Sequence, residues 1–270
     1  MRISFSNLAW DIAEDIDVAA LLKEFGVDAI DIAPGKYFPD PAKATTADIL
    51  AVKKWWEERG ISIIGMQALL FGTVGLNVFG SEAVQKSLLD HFSSICRIGA
   101  GLGATRLVFG SPKNRDCSGL SASQVEDISR DFFRKLGDIA VAHGVIICLE
   151  PNPAIYGANF MTTSLETCNV VNDIAHPAIK MQLDTGAVIL NQEDISAVVV
   201  RAKEVIGHVH ISEGQLATIG DTWPHHAEIA AVITSQLPEH PATVEMLATK
   251  NEPHLVSMRR ALQLVTSLYR

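Results

Sequence analysis

The feature that most constrains this chain is a repeat of pattern rather than of letters. A short apolar run, a break at Gly, Pro or Asp, and a longer amphipathic segment recur eight times. The runs are RISFSNL (2–8), VDAIDIA (27–33), ISIIGMQ (61–67), ATRLVFG (104–110), VIICLE (145–150), IKMQLD (179–184), VIGHVHI (205–211) and ATVEML (242–247). Short continuous apolar runs alternating with helical stretches are the pattern of βα units, whose parallel strands are buried on both faces. Between the runs, DVAALLKEFG ending at Gly26, TTADILAVKKWWEERG ending at Gly60 and SASQVEDISRDFFRKLGDIAVAHG ending at Gly144 read as helices. The Ser or Thr that opens the last two and the Gly that closes all three match the preferences of helix termini.

Eight such units in 270 residues, with no linker or composition shift dividing them, predict a single domain over 1–270 folded as a closed (β/α)8 TIM barrel. The structural alternative is an open doubly wound sheet, which a dinucleotide fingerprint would favour. GAGLGA (99–104) has nearly that spacing but follows a helical segment and precedes a strand, so it reads as a helix end with a tight turn.

With 48% hydrophobic residues, the chain has material for a large core. A formal net charge of −9 offers no electrostatic footprint for nucleic acid or anionic lipid, and no apolar run reaches the roughly 18 residues of a membrane span. The expected partner is therefore a small molecule, with a homo-oligomer compatible with the sequence. Cys96, Cys117, Cys148 and Cys168 are scattered without a C-x-x-C pair, which predicts free thiols and, with no secretory leader, a cytoplasmic protein.

Catalytic groups of a parallel barrel gather at the C-terminal ends of its strands. The fifth run ends in Glu150, the sixth in Asp184, the seventh carries His208 and His210, and the eighth carries Glu245. Neighbouring strands lie about 5 Å apart, so these side chains can converge. Three carboxylates in one pocket repel and raise one another's pKa unless a cation sits among them. A divalent ion resolves the conflict. Oxygen-rich ligation with one imidazole suits Mn²⁺, with Mg²⁺, Co²⁺ or Zn²⁺ as alternatives. Strand alternation puts both histidines on one face. His210, nearer the strand end, is the expected ligand, and His208 contacts substrate or braces a carboxylate.

These residues, within LEPNP, LDTG, HVHIS and VEML, resemble the xylose isomerase-like TIM-barrel family, which includes sugar-phosphate isomerases and epimerases, ketose 3-epimerases, dehydratases and the endonuclease IV group. The resemblance implies that Glu150, Asp184, His210 and Glu245 hold one metal, and that Glu150 and Glu245 are the acid/base pair. VFGSPKNR (108–115), YGANFMTTS and DIAPGK (31–36) look closest to the sugar-phosphate isomerase/epimerase branch. Two departures stand out. Ala187 occupies the place of a family histidine in DTGH, and HISEGQLATIG lacks the arginine that epimerases carry after the metal histidine.

The reaction expected is isomerisation or epimerisation of a sugar or sugar phosphate, by proton transfer next to a carbonyl through a metal-bound enediolate. The alternatives are a metal-dependent dehydratase or lyase and a noncatalytic sugar or metal binder. An endonuclease IV-like phosphodiesterase is disfavoured by the acidic charge and by the absence of His at early strand ends. His208, Glu213, Gln67, Lys113 and Arg115 are the candidate substrate contacts. Asn7, Asp31 and Gln67 either bind sugar hydroxyls or cap the following helices. Trp10, Phe38, Phe71 and Trp223 either cover a sugar face or pack in the core.

Overall fold

The computed structural model describes all 270 residues. Eight strands, β1 (Ile3–Ser6), β2 (Ala29–Ile32), β3 (Ser62–Met66), β4 (Arg106–Phe109), β5 (Ile146–Leu149), β6 (Ile179–Asp184), β7 (Ile206–Ile211) and β8 (Ala242–Val244), close into one barrel in chain order. Every neighbouring pair is parallel, including β1 with β8. The single-domain (β/α)8 barrel expected from the eight runs is what forms, and each strand lies within its run.

Around the barrel run α1 (Asp15–Glu24), α2 (Thr46–Glu57), α3 (Glu82–Leu102), α4 (Ala122–His143), α5 (Ser164–Ile174), α6 (Thr185–Leu190), α7 (Ile195–Ala202), α8 (His226–Gln236) and α9 (His254–Leu268). Local chemistry sets their ends. Thr45 with Asp48, and Ser121 with Gln124, form reciprocal capping boxes at the starts of α2 and α4; each such cap contributes about 1 kcal/mol. Gly103 in GAGLGA ends α3 in the left-handed conformation, at φ 87°, which confirms the motif as a helix terminus. No helix is long and apolar enough to cross a membrane.

The core between barrel and helices is aromatic where α3 and α4 meet β4, with Phe92, Phe109, Phe132 and Phe133 stacked edge to face. Trp10, against Phe5 and Trp56, and Phe38, against Tyr37, are buried as well, so of the four loop aromatics these two belong to packing. Two register shifts, at Ile30/Asp31 between β2 and β3 and at Met181/Gln182 between β6 and β7, leave an extra residue on β3 and β7. Such bulges re-aim the side chains beyond them.

Parity then carries the site. Glu150 and Glu245 lie one residue past β5 and β8, yet their backbone N–H groups still donate to Phe109 O at 3.1 Å and Ile211 O at 2.9 Å, extending the ladder. Each therefore keeps the alternation of its strand, and faces the barrel axis as Cys148 and Thr243 do two residues earlier. Asp184 stands above Gln182, and His210 above His208, in the same way.

Candidate metal and active site

Glu150, Asp184, His210 and Glu245 converge at the C-terminal mouth of the barrel, where one ligand atom from each lies within 4.8 Å of all the others. His210 Nδ1 is 3.3 Å from Glu150 Oε1 and 3.2 Å from Glu245 Oε2. All four are buried. Asp184 is held at both oxygens. Oδ1 accepts from Ala187 N at 2.6 Å as the N-cap of α6, and Oδ2 accepts from Ser212 Oγ at 2.6 Å.

Burial, and then the neighbouring Glu150 and Glu245 carboxylates, push the Asp184 carboxyl up to about 7. Burial opposes the His210 cation, but Glu245, Asp31 and Glu150 outweigh it and hold the ring well above its usual range. An imidazole retaining a proton among three carboxylates is the electrostatic signature of a site built around positive charge. Both ring nitrogens of His210 and Oε1 of Glu150 are buried without a hydrogen-bond partner. Orphaned groups of this kind are costly unless something binds them. Three carboxylates and one imidazole match the donor set of a hard divalent cation, so the residues fit the metal that the sequence pattern implies.

Directly beneath lies a second layer that has no surface. His208 Nε2 donates to Asp31 Oδ2 at 2.7 Å across the barrel, Ser4 Oγ donates to Asp31 Oδ1 at 3.2 Å, and Thr243 Oγ1 sits 3.2 Å from His208 Nε2. Burial opposes the charge of Asp31, but the two histidine rings more than offset it and hold its carboxyl below the usual range. Burial lowers His208 more than Asp31 raises it, so the ring sits below its usual range. Asp31 Oδ2 also lies 3.9 Å from His210 Nε2, on the side of the ring opposite Glu150 and Glu245. A carboxylate behind a ligand histidine orients the ring and raises its basicity. Asp31 therefore neither caps a helix nor reaches a sugar; it supports the floor of the site.

Three glycines make room for this arrangement. A Cβ at Gly65 would fall 2.6 Å from Asp31 Cγ, one at Gly110 2.9 Å from Glu150 Cδ, and one at Gly186 2.7 Å from Ser212 Oγ, the donor to Asp184. None of the three is in the left-handed region, so the requirement is for space alone.

A cavity of about 750 Å³ opens above the cluster, and Glu150, Asp184, Glu245, Gln67, Lys113, Glu213 and Phe71 are among its lining residues. Gln67 Nε2 donates to Ser6 Oγ at 2.6 Å, and its Oε1 has no partner. Lys113 lines the cavity as well, whereas His208, Arg115 and Glu213 are placed differently. His208 has no exposed surface and serves Asp31. Arg115 is 1% exposed and donates to Asn152 Oδ1 at 2.6 Å, behind Glu150 rather than in the cavity wall. Asn152 Nδ2 in turn stands 3.5 Å from Glu150 Oε2. Glu213 turns its carboxylate into its own loop, accepting from Gly220 N at 2.5 Å, Thr222 N at 2.7 Å, Thr222 Oγ1 and His226 Nε2 at 2.8 Å. Asn7 Oδ1 accepts from Ala33 N at 2.7 Å and ties the first two βα loops together. Trp223 packs against the core, which leaves Phe71 as the one of these four aromatics that lines the cavity.

A closed parallel barrel with a carboxylate–histidine cluster at its C-terminal mouth defines a class of βα barrels with a candidate metal site at the strand ends. The chain belongs to the xylose isomerase-like TIM barrel family, whose model matches residues 19–253. No curated protein matches the sequence. Among solved structures, the fold is similar to D-psicose 3-epimerase from Clostridium cellulolyticum H10, in a structure with D-tagatose (TM-score 0.81, 16% identity, 100% of both chains covered). It is also similar to 3-keto-D-glucoside 4-epimerase from E. coli (TM-score 0.80, 17% identity, 99% of both chains). A third is an AP endonuclease, family 2, from Brucella melitensis (TM-score 0.75, 15% identity, 96% of this chain and 97% of that one). At such identities the likeness establishes the fold alone.

Proposed function

We propose that the protein is a divalent-metal-dependent sugar isomerase or epimerase that moves a proton next to a carbonyl. The observation that carries this reading is the placement of two glutamates, Glu150 and Glu245, on either side of His210 Nδ1 at the floor of an open cavity. They come from β5 and β8, with β6 and β7 between them, so they approach a bound molecule from different sides. The structural similarity to sugar epimerases is in keeping with this reading.

Glu150, Asp184, His210 and Glu245 would hold the ion, with Mn²⁺ the preferred candidate. When bound, it supplies Lewis-acid polarisation of the carbonyl and so acidifies the neighbouring C–H bond. One glutamate takes the proton from carbon. The other returns a proton to the opposite face of that carbon, which inverts it, or to the adjacent carbon, which exchanges aldose for ketose. Positioned groups of this kind typically contribute about 10²- to 10⁴-fold each. Asp184, pinned by Ala187 N and Ser212 Oγ, is a ligand without freedom to move, whereas the Glu150 carboxylate accepts only one long hydrogen bond, from the Asn152 amide at 3.5 Å. Gln67 lines the cavity, and its buried Oε1, which has no partner in the protein, would accept from a sugar hydroxyl that reached it.

The test is solvent exchange. Ketoses incubated with the Mn²⁺-loaded protein in D₂O are expected to gain deuterium at the carbon beside the carbonyl, and Glu150→Gln and Glu245→Gln are expected to lose at least about 10²-fold in rate. Parental exchange rates in both variants would remove the two glutamates from the chemistry.

A further inference from the structure

The cavity above the cluster has two unlike halves. Its floor is polar and acidic. Its upper wall is apolar and comes from loops on opposite sides of the barrel: Leu70, Phe71 and Val74 after β3, Tyr156 after β5, Leu216 after β7 and Leu247 after β8. Phe71 is 88% exposed and Val74 is 92% exposed. Large apolar side chains standing in water beside a built polar site mark a surface that something covers.

The backbone holds this wall in place at a cost. Ala68, Gln215 and Leu216 line the cavity with φ of 55°, 58° and 52°, in the left-handed region that non-glycine residues avoid. Tyr156 Oη accepts from Gln215 N at 2.6 Å and fastens the β5 loop to the β7 loop. Strain of this kind persists only where surrounding structure imposes it, and it clusters at ligand-binding positions.

Size and charge narrow the occupant. A volume of about 750 Å³ lies in the upper part of the roughly 300–1,000 Å³ range of sites for drug-sized ligands, more than a bare monosaccharide fills. The lining contains one cation, the exposed Lys113, against the carboxylates of Glu150, Asp184 and Glu245, since that of Glu213 turns away. Barrels commonly bind phosphate with backbone donors of the loops after the seventh and eighth strands. Here the donors of the β7 loop, Gly220 N and Thr222 N, are already taken by the Glu213 carboxylate. These two donors are therefore closed to a phosphate, and Lys113 is the one cation of the lining that it would meet.

Resting on the isomerase or epimerase reading, we infer that the substrate is an unphosphorylated carbonyl sugar bearing an apolar substituent, which lies against the wall formed by Phe71, Val74, Leu216 and Leu247 while the sugar occupies the acidic floor.

The experiment compares substituents at one position remote from the carbonyl. D-Fructose and D-tagatose, their 6-phosphates, and their 6-O-methyl, 6-O-butyl and 6-O-hexyl ethers are titrated calorimetrically into the Mn²⁺-loaded protein and assayed for deuterium exchange. Affinity is expected to rise roughly fourfold per added methylene, and the 6-phosphates are expected to bind more weakly than the free ketoses. In the Phe71→Ser/Val74→Ser double variant, at two solvent-exposed positions, the gain per methylene is expected to fall below about twofold. A flat alkyl series, or phosphates that bind best, overturns the inference whether or not exchange is seen. A rising alkyl series without exchange in any sugar supports the apolar wall and overturns the proton-transfer reading instead.

Discussion

Gly110→Ala tests how tightly the fold places a single carboxylate. Gly110 follows β4, next to β5, and the side chain of Glu150 crosses directly over it. A Cβ there would stand 2.9 Å from Glu150 Cδ and closer still to Oε2, while Glu150 Cβ, at 3.5 Å, is in ordinary contact. Carbon atoms pack at about 3.5–4.0 Å, so Cδ must move by roughly 0.6–1.1 Å, and the nearer Oε2 by more, while the backbone stays in place. The far end of a glutamate rotates easily, and replacing Gly by Ala restricts the unfolded chain, so metal-free stability is expected to change by less than about 1 kcal/mol. Metal affinity is another matter. Displaced ligand geometry costs about 10- to 100-fold, and misplacing a reacting group by about 1 Å costs about 10² in rate.

Thermal unfolding with and without Mn²⁺ reads both quantities. At a Mn²⁺ concentration one hundred times the parental Kd, the ion stabilises the parent by about 2.7 kcal/mol and the variant by only about 0.4–1.4 kcal/mol. Gly35→Ala is the control, since a Cβ there meets nothing within 4 Å. An alanine variant with parental Mn²⁺ affinity would refute the reasoning, because the Glu150 carboxylate would then not need the space that Gly110 leaves.

Metal affinity should depend on pH through Asp184. Its carboxyl is pushed up to about 7 in the metal-free protein and must be ionised to bind, and His210, held well above its usual range, must also give up its proton, so affinity is expected to fall by about tenfold or more per unit below pH 7; an affinity flat from pH 5 to 7 would contradict this. The same raised value means that the metal-free protein loses stability as pH rises from the ordinary carboxylate range through 7, which urea titrations with chelator present will register. Asp31→Asn removes the charge behind His210 Nε2, and calorimetry should show Mn²⁺ affinity about 10- to 100-fold weaker; unchanged affinity would make Asp31 a packing residue only. Burial works against the charge of Glu213, but His226, Thr222 and Gly220 together hold its carboxyl low. Its contribution is thus present above the ordinary carboxylate range and lost as pH falls through the depressed value. Glu213→Gln should cost about 1.5–3 kcal/mol and speed proteolysis within residues 213–225, and an uncut loop at parental stability would argue against the latch.

The barrel was legible because its signals are local. Each apolar run is bounded by its own turn chemistry, and Ser121, Gly103 and Gly144 mark helix ends within a few residues of themselves. Glu150, Asp184, His210 and Glu245 were legible for a related reason, since a charged residue where an apolar strand stops is visible in one line of sequence. What supports them was not. Asp31 and His208 are separated by 177 residues and meet only across the closed barrel. Asp31 did carry one signal, a carboxylate between Ile30 and Ile32 inside a strand, where it must be paired. Gly65, Gly110 and Gly186 look like ordinary strand-end or turn glycines, and only the neighbouring side chains show why they have no Cβ. Glu213 and Arg115 were expected to contact substrate from their position in βα loops, but position in a loop does not say which way a side chain turns. Glu213 found three donors in its own loop and a fourth at the start of α8, and Arg115 is buried behind Asn152.

The most direct measurement is anomalous diffraction from crystals of the protein grown with Mn²⁺. One peak is expected at the C-terminal mouth of the barrel, within bonding distance of a carboxylate oxygen of Glu150, Asp184 and Glu245 and of Nδ1 of His210. A peak held by other residues, or none at saturating Mn²⁺, would contradict the account.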